Sequence, residues 1–129
     1  GKVGVRLGYD NALAPRIYGG ADCFLMPSRY EPCGLGQLIA LRYGTVPIVR
    51  RTGGLADTVQ EFDATRRAGT GFLFDDATAD SLIAAVQRAF SAYQSPRWQA
   101  LRRRVMRLDR GWERAARQYE QTYRSLTAR

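Results

Sequence analysis

No histidine occurs among the 129 residues. Without an imidazole neither a Ser-His-Asp triad nor a Cys-His pair can be assembled, and histidine-based metal sites are excluded as well. Cysteine is scarce: Cys23 and Cys33 are the only two, with nine residues between them. Two ligands at that spacing make no zinc site. Nothing suggests a stapled secreted domain, so two reduced thiols are expected rather than a disulfide. No metal and no cofactor is expected. No apolar run reaches the roughly 18 residues that a membrane span requires, and Gly1-Lys2-Val3-Gly4 leads into no signal-peptide core. A cytoplasmic protein with no membrane partner is the expectation.

Negative charge is sparse in one region. Residues 1–87 carry nine basic and nine acidic side chains, which cancel, whereas residues 88–129 carry eleven Arg and three acids. The whole net charge of +8 therefore sits on the C-terminal third. Such asymmetry can mark an acidic partner. Here the arginines fall on several helix faces with no interleaved stacking platform beyond Trp98 and Trp112. A solvated or domain-facing surface is the better reading, and nucleic acid is not an expected partner. The composition, 45% hydrophobic and 25% charged, is that of a folded chain rather than a disordered one.

Local patterns alternate strand and helix. Val3–Leu7 alternates apolar and polar residues, which predicts a short strand, followed by a turn at 8–11 and a helix over 12–18. Cys23–Pro27 and Val46–Val49 are continuous apolar runs, as expected of strands covered on both faces. Leu35–Tyr43 is predicted helical and stopped by Gly44. A helix over 56–62, with Asp57 as its cap, and a strand over 71–74 follow. Thr78 is placed to cap a helix through Tyr93. Helices over 98–107 and 112–126 complete the chain. Trp112, Ala115, Ala116, Tyr119, Tyr123 and Leu126 form one stripe in the last, and both tryptophans are expected to pack into the core. The order predicts an α/β fold, a parallel-sheet, Rossmann-like layer with C-terminal helices. Residues 1–95 would form the layer and 96–129 a helical extension of the same domain. In such layers ligands bind where strands end, so the loops 28–36 and 51–54 should lie side by side.

These loops carry the chemistry. In Glu31-Pro32-Cys33-Gly34-Leu35-Gly36-Gln37 a carboxylate precedes a helix start, where the amides of Gly34, Leu35 and Gly36 are among the unpaired first-turn donors. Those amides suit phosphate or sugar hydroxyls; the carboxylate suits hydroxyls or developing positive charge. One ligand with an anionic and a hydroxylated part, such as a sugar nucleotide, would satisfy both. A structural role, with Glu31 as a helix-entry carboxylate and the glycines as chain-turners, remains open at this point. Thr52-Gly53-Gly54 adds a hydroxyl and a backbone nest, although Gly-Gly also serves ordinary loops. Tyr9 follows the first predicted strand and could stack on a base or lie on the surface.

The stretches Gly8-Tyr9, Arg16-Ile17, Gly20-Ala21-Asp22, Pro27–Leu35, Gln37-Leu38, Arg42–Pro47 and Arg51–Val59 together resemble bacterial glycogen synthases and plant starch synthases, retaining glycosyltransferases of the two-domain GT-B fold. Residues 28–59 carry the most specific part, and Trp112 with Ala115, Ala116, Tyr119 and Tyr123 is similar to the family's C-terminal helix. The resemblance implies part of the C-terminal, donor-binding domain, with ADP-glucose as donor and an α-1,4-glucan end as acceptor. It implies that Glu31 is the active-site glutamate beside the transferred glucose. Backbone at Cys33, Gly34 and Leu35 would contact that glucose, and Gly53 and Gly54 would lie by the sugar and diphosphate. Tyr9 would stack on adenine. Gly36 stands where many members have Thr, which leaves backbone only; Pro15 stands where His is common, and Ile39 where related transferases have a second Glu.

The resemblance further implies that acceptor-binding and phosphate-clamping parts lie outside this chain. By itself the chain is then expected to lack turnover and to self-associate or to need the N-terminal domain as partner. Two other readings are the donor domain of another retaining GT-B transferase and a free-standing basic binding module.

Overall fold

The structure, a computed structural model, describes residues 2–127. Three parallel strands, β1 (Cys23–Met26), β2 (Val46–Arg50) and β3 (Phe72–Phe74), lie in the order β1-β2-β3. Six helices accompany them: α1 (Leu13–Gly20), α2 (Gly36–Tyr43), α3 (Gly53–Thr58), α4 (Ala79–Tyr93), α5 (Trp98–Met106) and α6 (Trp112–Thr127). This is the predicted α/β parallel layer.

Strand β2 is central, so Val46, Pro47, Ile48 and Val49 are all buried. A proline in a central strand should cost a ladder bond. Here the alternation of the backbone avoids most of that cost. Val46 N–H donates to Asp22 O on the β1 side and Arg51 N–H to Phe74 O on the β3 side. The nitrogen of Pro47 therefore faces β3, one residue before pairing begins at Ile48 with Phe72.

The side chains of β2 alternate between two cores. Val46 and Ile48 join Leu41, Phe72, Phe74, Ala85, Ala89, Trp98, Leu101 and Val105 in the larger; Val49 joins Leu55, Val59 and Leu73 in the smaller. Trp98 is buried, in an edge-to-face contact with Tyr93 whose ring centroids are 5.4 Å apart. The Thr78 hydroxyl caps α4, accepting from Ser81 N–H at 3.3 Å. Several C-terminal arginines act as struts: Arg102 donates to Gly44 O, Arg104 to Ala68 O and Gly69 O, and Arg110 to Thr58 O. Burial holds the Arg104 guanidinium below its ordinary pKa.

Three expectations are corrected. Val3–Leu7 forms no strand, and Val3, Val5 and Leu7 are each more than 80% exposed. Alternation alone does not make a strand; it needs a ladder partner, and none is beside it. Trp112 is 88% exposed and α6 buries none of its residues, because the small layer offers its apolar stripe no face to cover. The helix expected at 56–62 is α3, which starts at Gly53; Thr52 is its N-cap, and Asp57 lies inside it as an exposed residue rather than a cap.

Both thiols are free, Cys33 exposed and Cys23 half-buried. Burial, with a smaller contribution from the Asp22 carboxylate, pushes the Cys23 thiol up from 9.0 to about 11. The folded pKa is the higher one, so its contribution to stability is complete below pH 9 and is lost as pH rises towards 11. Thermal melts across this window should show a steeper alkaline loss in the unsubstituted chain than in Cys23→Ala; equal slopes would contradict the burial assigned to the thiol.

Candidate functional site

The loop after β1 and the loop after β2 meet. Gly54 N–H donates to Glu31 O at 2.9 Å. A Cβ on Gly53 would lie 2.1 Å from Glu31 O, and one on Gly54 would lie 2.1 Å from Cys33 O. No side chain fits at either position, so backbone lies on backbone. Gly53, at φ +44°, and Gly34, at φ +69°, also occupy the left-handed region that favours glycine.

The rest of the frame is polar. Arg50 sends its guanidinium to Asp75 O at 3.0 Å and to Arg29 O, tying the first loop to the end of β3. Arg51 Nε pairs with Asp75 Oδ1 at 2.8 Å. Inside the junction Gln37 Nε2 reaches Gly34 O at 2.8 Å, Cys33 O at 3.2 Å and Thr58 Oγ1 at 3.1 Å. Neither Gln37 nor Thr58 was singled out from the sequence for this role. A lone polar residue beside apolar helix positions carries no signal until its burial is known.

Glu31 is half-buried, and its carboxylate enters none of the ion pairs among the described residues. Its backbone oxygen, not its carboxylate, joins the loops. Cys33 and Leu35 are exposed and Gly34 is buried. Helices α2 and α3 start without a side-chain cap. Among the described residues, the amides of Gly34, Leu35, Gly36 and Gly53 have no protein acceptor. The Gly54 amide is taken by Glu31 O, so it is not a free donor. Thr52, half-buried, keeps its hydroxyl out of capping. A Cβ on Gly36 would face the Phe24 ring at 3.2 Å and Tyr18 Oη at 3.3 Å rather than the second loop. Tyr9 is not drawn into this junction: it is 91% exposed on the N-terminal segment that forms no strand.

Chemically, the junction presents free amide hydrogens from two loops and one carboxylate not neutralised by an ion pair. Amides of this kind bind anions or hydroxyls, and the carboxylate can accept from hydroxyls or face positive charge. An apolar groove of about 670 Å³ opens next to it, lined in part by Leu35, Leu38, Ile39, Val105 and Leu108. Among the described residues no cluster of three or more His, Cys, Asp or Glu could hold a metal ion, and no helix is long and apolar enough to cross a membrane.

Comparisons with known proteins give the family. Glycogen synthase of Geobacillus thermodenitrificans is 53% identical over 127 residues, covering 98% of this chain and 26% of that protein. Glycogen synthase 2 of Geobacter metallireducens is 56% identical over 124 residues, with 95% and 26% covered. Among solved structures, the catalytic domain of starch synthase IV from Arabidopsis thaliana, bound to ADP and acarbose, superposes with a TM-score of 0.84 at 42% identity, over 95% of this chain and 26% of that one. The chain thus spans about a quarter of the length of the relatives it matches. Residues 6–124 match the family described as "Glycosyl transferases group 1", and the chain belongs to that family.

Proposed function

We propose that this chain is the donor-binding part of an ADP-glucose:α-1,4-glucan glucosyltransferase that retains configuration at the transferred glucose. The observation that carries this reading is the junction itself: free amides from two loops joined at the backbone of Glu31, whose carboxylate enters no ion pair among the described residues, in a chain more than half identical to glycogen synthases. In this reading Gly53, with the backbone around Gly54 and Thr52, lies along the diphosphate. Cys33, Gly34 and Leu35 hold the glucose hydroxyls through backbone groups, and Gly36 offers only its backbone to the ribose or phosphate. Tyr9 stacks on adenine once its segment is drawn to the rim. Residues 1–95 supply the nucleotide-sugar layer and 96–129 extend the same domain. The N-terminal domain, or a self-associated copy, covers the other side of the donor. The acceptor is a glucan end, and the protein works in the cytoplasm.

Transfer breaks the bond between glucose C1 and the diphosphate oxygen and forms one from C1 to a hydroxyl oxygen of the glucan end, whose proton goes to the departing ADP; positive charge grows on the sugar ring as ADP leaves. In this reading Glu31 stabilises that charge, and the Gly53 amide opposes the negative charge growing on the leaving group. The stitched loops hold the backbone that carries both groups before the reaction, which limits the reorganisation needed.

Calorimetric titration tests the reading. ADP-glucose should bind this chain saturably with a dissociation constant of about 1 mM, more tightly than UDP-glucose. Alkylation of exposed Cys33 should slow as ADP-glucose is added, while half-buried Cys23 stays the slower thiol throughout. Absence of saturable binding, or tighter binding of UDP-glucose, would overturn it.

A further inference from the structure

Gln37 is wholly buried, yet it keeps a polar side chain. Its Oε1 has no hydrogen-bond partner among the described residues, an arrangement that opposes folding. A residue present only to fill space would carry no such cost. The nitrogen end shows what the amide does. Nε2 has two hydrogens and three acceptors: Cys33 O, Gly34 O and Thr58 Oγ1. One hydrogen is shared by the two carbonyls of the first loop and the other goes to the threonine. Thr58 in turn donates its own proton to Gly54 O at 2.5 Å. A directed relay thus runs from the turn at 33–34, through Gln37 and Thr58, to the first turn of α3. Gly34 lies flat on this amide: a Cβ there would be 2.5 Å from Oε1 and 2.8 Å from Nε2.

We propose that Gln37 is a positioning residue: with Thr58 it sets the spacing at which the two glycine loops grip the glucose and the diphosphate of one nucleotide sugar. The role rests on the donor-site reading above. Apart from this relay, the backbone tie from Gly54 N to Glu31 O is, among the described residues, the direct hydrogen bond between the loops. A bifunctional ligand is sensitive to the distance between its two docking points, whereas either half alone is not. The amide is suited to the task because it donates in two directions. Methionine keeps the volume and donates nothing; a carboxylate would face two carbonyl oxygens.

The experiment compares ADP-glucose with ADP alone on the full chain and on Gln37→Met, Thr58→Val, Thr58→Ser and the Gln37→Met/Thr58→Val pair. Gln37→Met should lower ADP-glucose affinity roughly tenfold while changing ADP affinity less than about threefold. Thr58→Val should reproduce that split, and Thr58→Ser, which keeps the hydroxyl, should restore the original ratio. The double variant should lose little more than either single one, since both cut the same relay. Exchange of the Gly54 amide hydrogen, followed without ligand, should quicken in Gln37→Met. Equal losses for ADP-glucose and ADP, unchanged Gly54 exchange, or additive losses in the pair would overturn the positioning role. Binding of neither ligand by the unsubstituted chain would instead overturn the donor-site reading, and the role with it.

Discussion

Gly54→Ala should abolish ADP-glucose binding and lower the melting temperature by about 10 °C or more. The added methyl would sit 2.1 Å from Cys33 O, 2.6 Å from its carbonyl carbon and 2.7 Å from its Cα. All three are backbone atoms, so no rotamer change relieves the clash and the loops must part. Parting them breaks the Gly54 N to Glu31 O bond and separates the carboxylate from the amides of α3. Overpacking of this kind costs about 1–3 kcal/mol, and a lost hydrogen bond adds about 1 kcal/mol. Gly20→Ala is the control: nothing lies within 4 Å of its Cβ position, and alanine favours the helix end. It should melt at or slightly above the temperature of the unsubstituted chain and bind ligand unchanged. Similar behaviour of the two variants, by calorimetry and thermal melting, would contradict a close backbone junction.

The second large effect concerns Glu31. The chain corresponds to about a quarter of its relatives, so turnover is best read in a chimera in which it replaces the matching quarter of the Geobacillus thermodenitrificans glycogen synthase. In that chimera Glu31→Gln should lower the rate of glucosyl transfer about 10²–10³-fold, as expected when a preorganised transition-state contact is removed. Donor affinity should change less than tenfold or so, because glutamine keeps the shape and hydrogen-bonding ability of the group. The loop carbonyl that accepts from Gly54 belongs to the backbone of residue 31 and survives the substitution. Initial rates against donor concentration separate the two quantities. A rate within a few fold of the parent chimera would remove Glu31 from the reaction.

These expectations depend on features that were unequally legible in the sequence. Val46–Val49 was legible because a central parallel strand must be apolar on both faces, which leaves a run without polar gaps; the run Cys23–Met26 also marks a strand, but it lies at the sheet edge with Leu25 exposed, so the expected cover on both faces is absent there. Thr78 was legible because an N-cap acts locally. That the two glycine loops meet also followed from general topology, since both succeed adjacent parallel strands. The start of α3 did not follow. Glycine disfavours helix, yet Gly53 and Gly54 begin one because Thr52 is extended before them and Glu31 O takes the Gly54 amide. That is tertiary context prevailing over propensity.

Val3–Leu7 and the stripe on α6 show the opposite error. Each has the periodicity of a buried element, but periodicity states which face wants cover, not whether cover exists in this chain. Gln37 was the least legible of all. Its importance lies in three acceptors brought to it from residues 33, 34 and 58, a convergence that no spacing along the chain announces.

The central claim is that both loops hold one ligand together, and an amide-resolved nuclear magnetic resonance titration with ADP-glucose tests it most directly. The account predicts that Gly34, Leu35, Gly36 and Gly53 shift along a single saturation curve, with Gly54 moving less because Glu31 already holds its hydrogen. Shifts confined to one loop, or gathered instead on the arginine-rich surface of α5 and α6, would contradict it.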